Sequence, residues 1–267
     1  MKRGLLLAFL LILLVACAVA PSGRRQLLIV SDEQLEPAAA ASFEQIRARY
    51  PELVDRDRQA MLGCVVEALT QKLPPRWQRL RWQTVILDSP EVNAFALPGG
   101  RIGVYRGLLD RFPDQDRLAA VLGHEIAHVV FRHGAERVSQ QFAAATALEL
   151  AALAREGGRD PRSRELLALL GLGAQVGVLL PFSRLHEQEA DRYGQELMSR
   201  AGFDPRAAAE LWRELAREQR GPRPPAWLST HPAPREREAE LSARAEALLP
   251  LYQQALSAGQ RPNCTPP

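Results

Sequence analysis

The segment Val121-Leu122-Gly123-His124-Glu125-Ile126-Ala127-His128-Val129-Val130 decides how the rest of the chain is read. Residues four apart share one face of an α-helix, so His124 and His128 can grip one ion. Their neighbours are apolar nearly all round, and such a helix belongs in a core. Buried imidazoles and a buried carboxylate need partners, and a metal satisfies several of them at once. Zinc suits imidazole nitrogen, and a catalytic zinc site keeps one position open for water. Glu125, beside the first ligand, is placed to take a proton from an attacking water.

Two histidines do not complete such a site, so a third ligand has to be found. One class of zinc peptidase continues this pattern with a glycine and a further histidine, but here those places hold Phe131 and Gly134. His133 stands five residues after His128, which turns it off the ligand face of a continuous helix and makes it structural or superficial. The stretch Ser183-Arg184-Leu185-His186-Glu187-Gln188-Glu189-Ala190-Asp191-Arg192-Tyr193-Gly194 supplies a carboxylate instead. Glu187 and Asp191 share a helix face, the first as a zinc ligand and the second as acceptor for a ligand histidine. Glu189 faces roughly the other way, and His186 has no acidic partner four residues on. By itself such a charged run is a solvated face; the upstream histidines reverse that reading.

Outward from this core, Met1 to Ala16 reads as an export signal, with Lys2 and Arg3 ahead of the apolar run Leu5 to Val15. Leu14-Val15-Ala16-Cys17 resembles the bacterial lipobox, which makes Cys17 the lipid-bearing first mature residue. Ala18, not an aspartate, follows it, which by resemblance to lipoprotein sorting directs the chain to the outer membrane. The alternative is an ordinary cleaved signal or an uncleaved anchor. Residues 17–36 then form a lipidated tether, 37–257 a peptidase domain and 258–267 an irregular tail. Outside the cytoplasm disulfides persist. Cys64 and Cys264 are the remaining pair, either bonded or two unrelated thiols.

The composition, 46% hydrophobic and 24% charged, is that of a globular chain. Formal net charge is +3, and near neutral once Lys2 and Arg3 are gone. With no basic stripe or aromatic-interleaved basic patch, nucleic acid is not an expected partner. Pro37 to Tyr50 and Asp55 to Leu73 read as amphipathic helices, the second with the stripe Leu62, Val65, Val66 and Leu69. Arg81 to Leu87 is strand-like. Asn93 to Gly100 reads as a turn feeding a short strand, Arg101 to Tyr105. From Asp114 onward the pattern is almost wholly helical, with a last helix from Arg235 to Leu249. Leu166 to Leu180 is a long apolar stretch, read as a buried helix or as a membrane-touching or gating segment.

Four blocks together, Asn93 to Gly100, His124 to His128, Glu187 to Asp191, and Ser229-Thr230-His231-Pro232 with Arg237, resemble metallopeptidase family forty-eight, of the HtpX, CAAX prenyl protease and Oma type. The similarity spans about Gln26 to Leu249 and is strongest to the short periplasmic lipoproteins LoiP and YcaL. It implies a mostly helical α+β, zincin-like (gluzincin) domain with a small sheet beside the active-site helix. It implies one Zn2+ on His124, His128 and Glu187, with Glu125 as base and Asp191 in support. Gly99, Gly100, Arg101, Ile102, Gly103 and Val104 would form an edge strand that pairs with a peptide substrate; without the resemblance they read as a plain turn and core strand. His231 would be a resting-state metal ligand or an oxyanion donor, and Arg237 would support its loop. The expected substrates are misfolded or misassembled envelope proteins, cleaved at the periplasmic face of the membrane. The rivals are a lipid-anchored, chaperone-like binder that keeps its zinc for structure, and a latent peptidase.

Overall fold

The computed structural model describes residues 17–156, 182–218, 225–232 and 235–264. Their elements run β1 (Cys17–Val19), β2 (Arg25–Leu27), α1 (Asp32–Arg49), α2 (Arg56–Thr70), α3 (Pro75–Gln78), β3 (Gln83–Leu87), β4 (Ala94–Leu97) and β5 (Arg101–Tyr105). Then follow α4 (Arg106–Arg111), α5 (Gln115–Val130), α6 (His133–Glu156), α7 (Arg184–Arg200), α8 (Arg206–Glu218), α9 (Trp227–Thr230) and α10 (Arg235–Ser257). The expected mostly helical α+β fold with a small sheet is what forms. Leu166 to Leu180 lies outside the described residues. Among those residues no helix is long and apolar enough to cross a membrane.

Helix α5 is the axis of the domain. Asp114 caps it by accepting from the backbone of Arg117, and every residue from Leu118 to Val130 is buried. The stripe Leu62, Val65, Val66 and Leu69 of α2 packs into the same core. Burying each such side chain contributes about 1.5–3 kcal/mol. On another side α7 crosses α5 at a backbone-to-backbone contact between Gly123 and Gly194. Helix α10 packs on α7, and α8 packs on α10 and α5, with Leu211, Trp212, Leu215 and Leu241 in the shared core.

The sheet has the order β3-β5-β4. β5 runs parallel to β3, with Gln83 opposite Arg101, and antiparallel to β4, with Leu97 opposite Arg101. The expected edge strand is therefore misplaced. Arg101, Ile102, Gly103 and Val104 lie in the middle strand, paired on both sides, while Gly99 and Gly100 make the hairpin turn at φ values of 85° and 83°. Only glycine takes such angles cheaply. The outer side of β3 is partly occupied by the segment before α2, where the Leu53 amide donates to Ile86 and the Asp88 amide to Pro51. Among the described residues the sheet edge that faces the cleft is β4, Ala94–Leu97.

The segment expected to be a tether is also ordered. β1 and β2 pair antiparallel, with Ala18 opposite Gln26. Helix α1 begins at Asp32, ahead of Pro37, because Ser31 and Gln34 form a capping box. The start signal is Ser31 with Gln34, and Pro37 lies inside the helix. At the other end Cys64 and Cys264 are bonded, with their Cα atoms 5.5 Å apart across 200 residues of sequence. The Cys264 amide also donates to Gln115 Oε1 (2.8 Å), so the irregular tail is pinned to the start of α5.

Candidate active site

The contact between Gly123 and Gly194 lets α7 come close enough for its carboxylates to reach the histidines of α5. His124 Nε2 lies 3.1 Å from His128 Nε2 and 3.1 Å from His231 Nδ1. Glu187 Oε1 lies 3.4 Å from His128 Nε2 and Oε2 lies 3.6 Å from His124 Nε2. One ligand atom from each of His124, His128, Glu187 and His231 falls within 4.8 Å of the others, and all four residues are buried. Tetrahedral bonds of about 2.0–2.1 Å set donor atoms roughly 3.3 Å apart, so imidazole and carboxylate donors at this spacing fit a zinc ion.

Each histidine has its other ring nitrogen engaged. His124 Nδ1 donates to Asp191 Oδ1 (3.0 Å), which leaves the Nε2 lone pair for the metal. Asp191 is gripped in turn by Arg237, Nε to Oδ2 and Nη2 to Oδ1 at 2.7 Å each. Burial would push Asp191 up, but the charge of Arg237 and the bond from His124 outweigh it and hold the carboxylate below its ordinary range. Arg237 also donates to the Pro232 carbonyl (2.7 Å) and contacts Glu187, so it ties the His231 loop to the carboxylates. Burial holds His128 well below the ordinary histidine value, and so neutral. Glu187 is also held well below its ordinary value, because the neighbouring histidines outweigh its burial.

Around His128 the structure departs from expectation. Helix α5 ends at Val130, and Arg132 takes a left-handed φ of 57° before α6 begins at His133. The helix is not continuous there, so His133 swings back: its Nδ1 lies 2.9 Å from His128 Nδ1, and the residue is wholly buried. Burial brings His133 down to about 4, which keeps it neutral. Its Nε2 lies 3.1 Å from Glu189 Oε2. Glu189 does face away from Glu187, but toward this second histidine and not toward water. Arg24 reaches both Glu189 (2.8 Å) and Glu136 (2.6 Å), Ser22 bonds Glu189, and Gln26 bonds Glu136 (2.8 Å). His186 is no competing ligand; it stacks on His133 and meets Glu136 at 3.1 Å.

Glu125 is buried beside the cluster and accepts from the indole nitrogen of Trp227 (2.7 Å). Trp227, unsuspected from sequence, stacks on Trp212 and donates its backbone amide to Val92, which leads into β4. The cluster opens on a cleft of ≈ 620 Å³, walled by β4, α1 and the start of α6. Phe95, Leu97 and Gly99 line it on the sheet side, and Ala39, Ile46 and Tyr50 lie opposite. Of the six residues expected to bind substrate, Gly99 lines the cleft; Gly100 and Arg101 to Val104 do not.

The profile of peptidase family M48 matches residues 55–245, which takes in all four cluster residues, Glu125, Asp191 and Arg237.

The chain belongs to peptidase family M48.

Among M48 relatives, the chain is 35% identical to bovine mitochondrial metalloendopeptidase OMA1 over 258 residues, 92% of this chain and 47% of that protein. It is 42% identical over 159 residues to the OMA1 of Schizosaccharomyces pombe, 59% of this chain and 45% of the relative. The beta-barrel assembly-enhancing protease of Escherichia coli is 33% identical over 182 residues, 64% of this chain and 36% of the relative. The chain thus spans less than half the length of these curated relatives. M48 membership makes it a metallopeptidase by family. The Ser22, Arg24 and Gln26 contacts lie upstream of residues 55–245, the span of the family profile.

Proposed function

We propose that this chain is a zinc endopeptidase that cleaves unfolded or misassembled cell-envelope proteins. His124, His128 and Glu187 would hold the ion and Glu125 would act as general base. The observation that carries this reading is Glu125 itself. It is a buried carboxylate next to the donor cluster, oriented by Trp227, at the floor of a cleft with a free strand edge. A purely structural zinc site has no use for such a base.

Bound zinc would polarise the scissile carbonyl and make water a competent nucleophile near neutral pH. The chain's own residues do the remainder. β4 offers its unpaired backbone groups to an extended peptide, which favours unfolded segments over folded ones and tolerates many side chains. Glu125 takes the proton from water and can return it to the leaving amine. Asp191 and Arg237 keep His124 in one tautomer.

His231 supports a second reading, a latent resting state. With its Nδ1 2.9 Å from Glu187 and 3.1 Å from His124 Nε2, it stands where a fourth ligand would exclude water.

The envelope assignment draws on the bacterial relative named for beta-barrel assembly, on the lipobox-like Leu14 to Cys17 and on the Cys64–Cys264 bond, which suits an oxidising compartment. We place the chain at the periplasmic face of the outer membrane, held by lipid on Cys17. The test is cleavage of an unfolded polypeptide by zinc-loaded protein beside Glu125→Gln. Loss of about 10²–10⁴-fold with zinc retained supports the reading. Equal activity of the two proteins, or zinc binding with no cleavage by either, leaves the chaperone-like binder instead.

A further inference from the structure

Each metal-facing histidine of α5 has a partner on its Nδ1, and for His124 that partner is a carboxylate, Asp191. For His128 the carboxylate stands one residue further off, with His133 between. The protonation pattern along that chain follows from its end. Glu189 is an acceptor, already bonded by Arg24 and Ser22, so the proton on the 3.1 Å contact belongs to His133 Nε2. With the proton on Nε2 spent on Glu189, His133 presents its Nδ1 lone pair to His128. The 2.9 Å contact between two ring nitrogens needs one proton, and it comes from His128 Nδ1. That leaves His128 Nε2 with its lone pair among the donor atoms, 3.1 Å from His124 Nε2. In the reverse arrangement an N–H of His128 would point into the donor cluster and oppose a cation.

We propose that His133 and Glu189 are positioning residues for the metal, a relay that presets His128 as an Nε2 ligand. The N-terminal hairpin belongs to that relay. Arg24 and Ser22 hold Glu189, Arg24 and Gln26 hold Glu136, and Glu136 braces His186, on which His133 stacks at 4.4 Å. The segment directly after Cys17 is therefore part of the metal centre's support. Its Arg24–Glu189 and Arg24–Glu136 pairs are buried on the acid side. This inference rests on the metal reading above, and its test is read on metal affinity and on protons, without a peptidase assay.

Zinc dissociation constants are measured by chelator competition for the whole mature chain, His133→Phe and His133→Asn. Phenylalanine keeps the ring and its stacking but cannot accept from His128; asparagine restores an acceptor near the Nδ1 position. The Phe variant should lose about 10–100-fold in affinity, and the Asn variant should recover most of it. The visible spectrum of the Co2+ form should change in the Phe variant and return toward wild type in the Asn variant. A folded Phe variant with wild-type affinity overturns the proposal, as does an Asn variant as weak as Phe, which would mean packing alone. Should His133→Phe not fold, 15N-histidine NMR of the metal-free wild type decides. A proton on His128 Nδ1 and on His133 Nε2 is expected; a His128 proton on Nε2 overturns the relay. Wild type that binds no zinc removes the metal reading itself, whereas zinc binding indifferent to His133 removes only the relay.

Discussion

Gly123 and Gly194 meet backbone to backbone. A Cβ on Gly194 would stand 2.7 Å from both the Gly123 carbonyl carbon and the His124 amide nitrogen. No neighbouring side chain can yield to relieve that overlap, so the two helices would have to part. Gly194→Ala should cost about 1–3 kcal/mol of stability and weaken zinc binding, because Glu187 and Asp191 ride on the helix that moves. Gly63 is the control. It lies inside α2, where an added Cβ meets nothing within 4 Å, so Gly63→Ala should gain about 0.5–1 kcal/mol. Thermal unfolding and chelator competition measure both; a Gly194→Ala protein as stable as wild type would refute the packing argument.

His231 closes the donor set, so its removal should release the site. His231→Ala is expected to bind zinc more weakly and to hydrolyse unfolded protein faster, as a freed position admits water. A fall in kcat with KM unchanged would show the residue at work on the oxyanion instead.

The acid side of stability should pass through Glu136. Burial alone would raise its carboxyl, but hydrogen bonds from Arg24, His186 and Gln26 prevail and hold it far below the ordinary range. A folded-state value below the unfolded one contributes stability above about pH 4.5, and that contribution is lost as pH falls toward the folded value. Urea unfolding between about pH 6.5 and pH 3 should therefore show a shallower pH dependence in Glu136→Gln than in wild type. Parallel curves for the two proteins would contradict this.

The bond between Cys64 and Cys264 closes a loop of 200 residues, and its loss should cost about 2–4 kcal/mol. Cys264→Ser should unfold at a lower denaturant midpoint than wild type, and the difference should vanish once a reductant is present. If it persists, the loss comes from the thiol's burial and not from the cross-link.

How the site reads from sequence varies residue by residue, for physical reasons. His124, Glu125 and His128 are local: four-residue spacing on a helix places them together whatever the rest of the chain does. Glu187 and Asp191 stand out because they repeat that spacing and because the proposed zinc site calls for a third ligand. Trp227 carries no such signal. Its indole meets Glu125 across 102 residues, and nothing in Pro225-Ala226-Trp227 marks it. Gly194 stands in the same stretch, but a glycine in a helix pattern does not say what backbone will lie against it.

The proposed chemistry is legible along the chain: an apolar helix with two imidazoles, an acid beside them and a later carboxylate pair. Those facts depend on helical periodicity and ligand preference, which act over a few residues. Which strand faces the cleft emerges from the fold alone, because hydrogen-bonding order in a sheet depends on what pairs with what. The fold also decided that His133 faces His128. A left-handed turn at Arg132 ends one helix and starts another, and no spacing rule survives a change of helix axis. The docking of Arg24 and Ser22 on Glu189 was settled in the same way, across more than 160 residues, by burial that made an acid beside a histidine worth pairing.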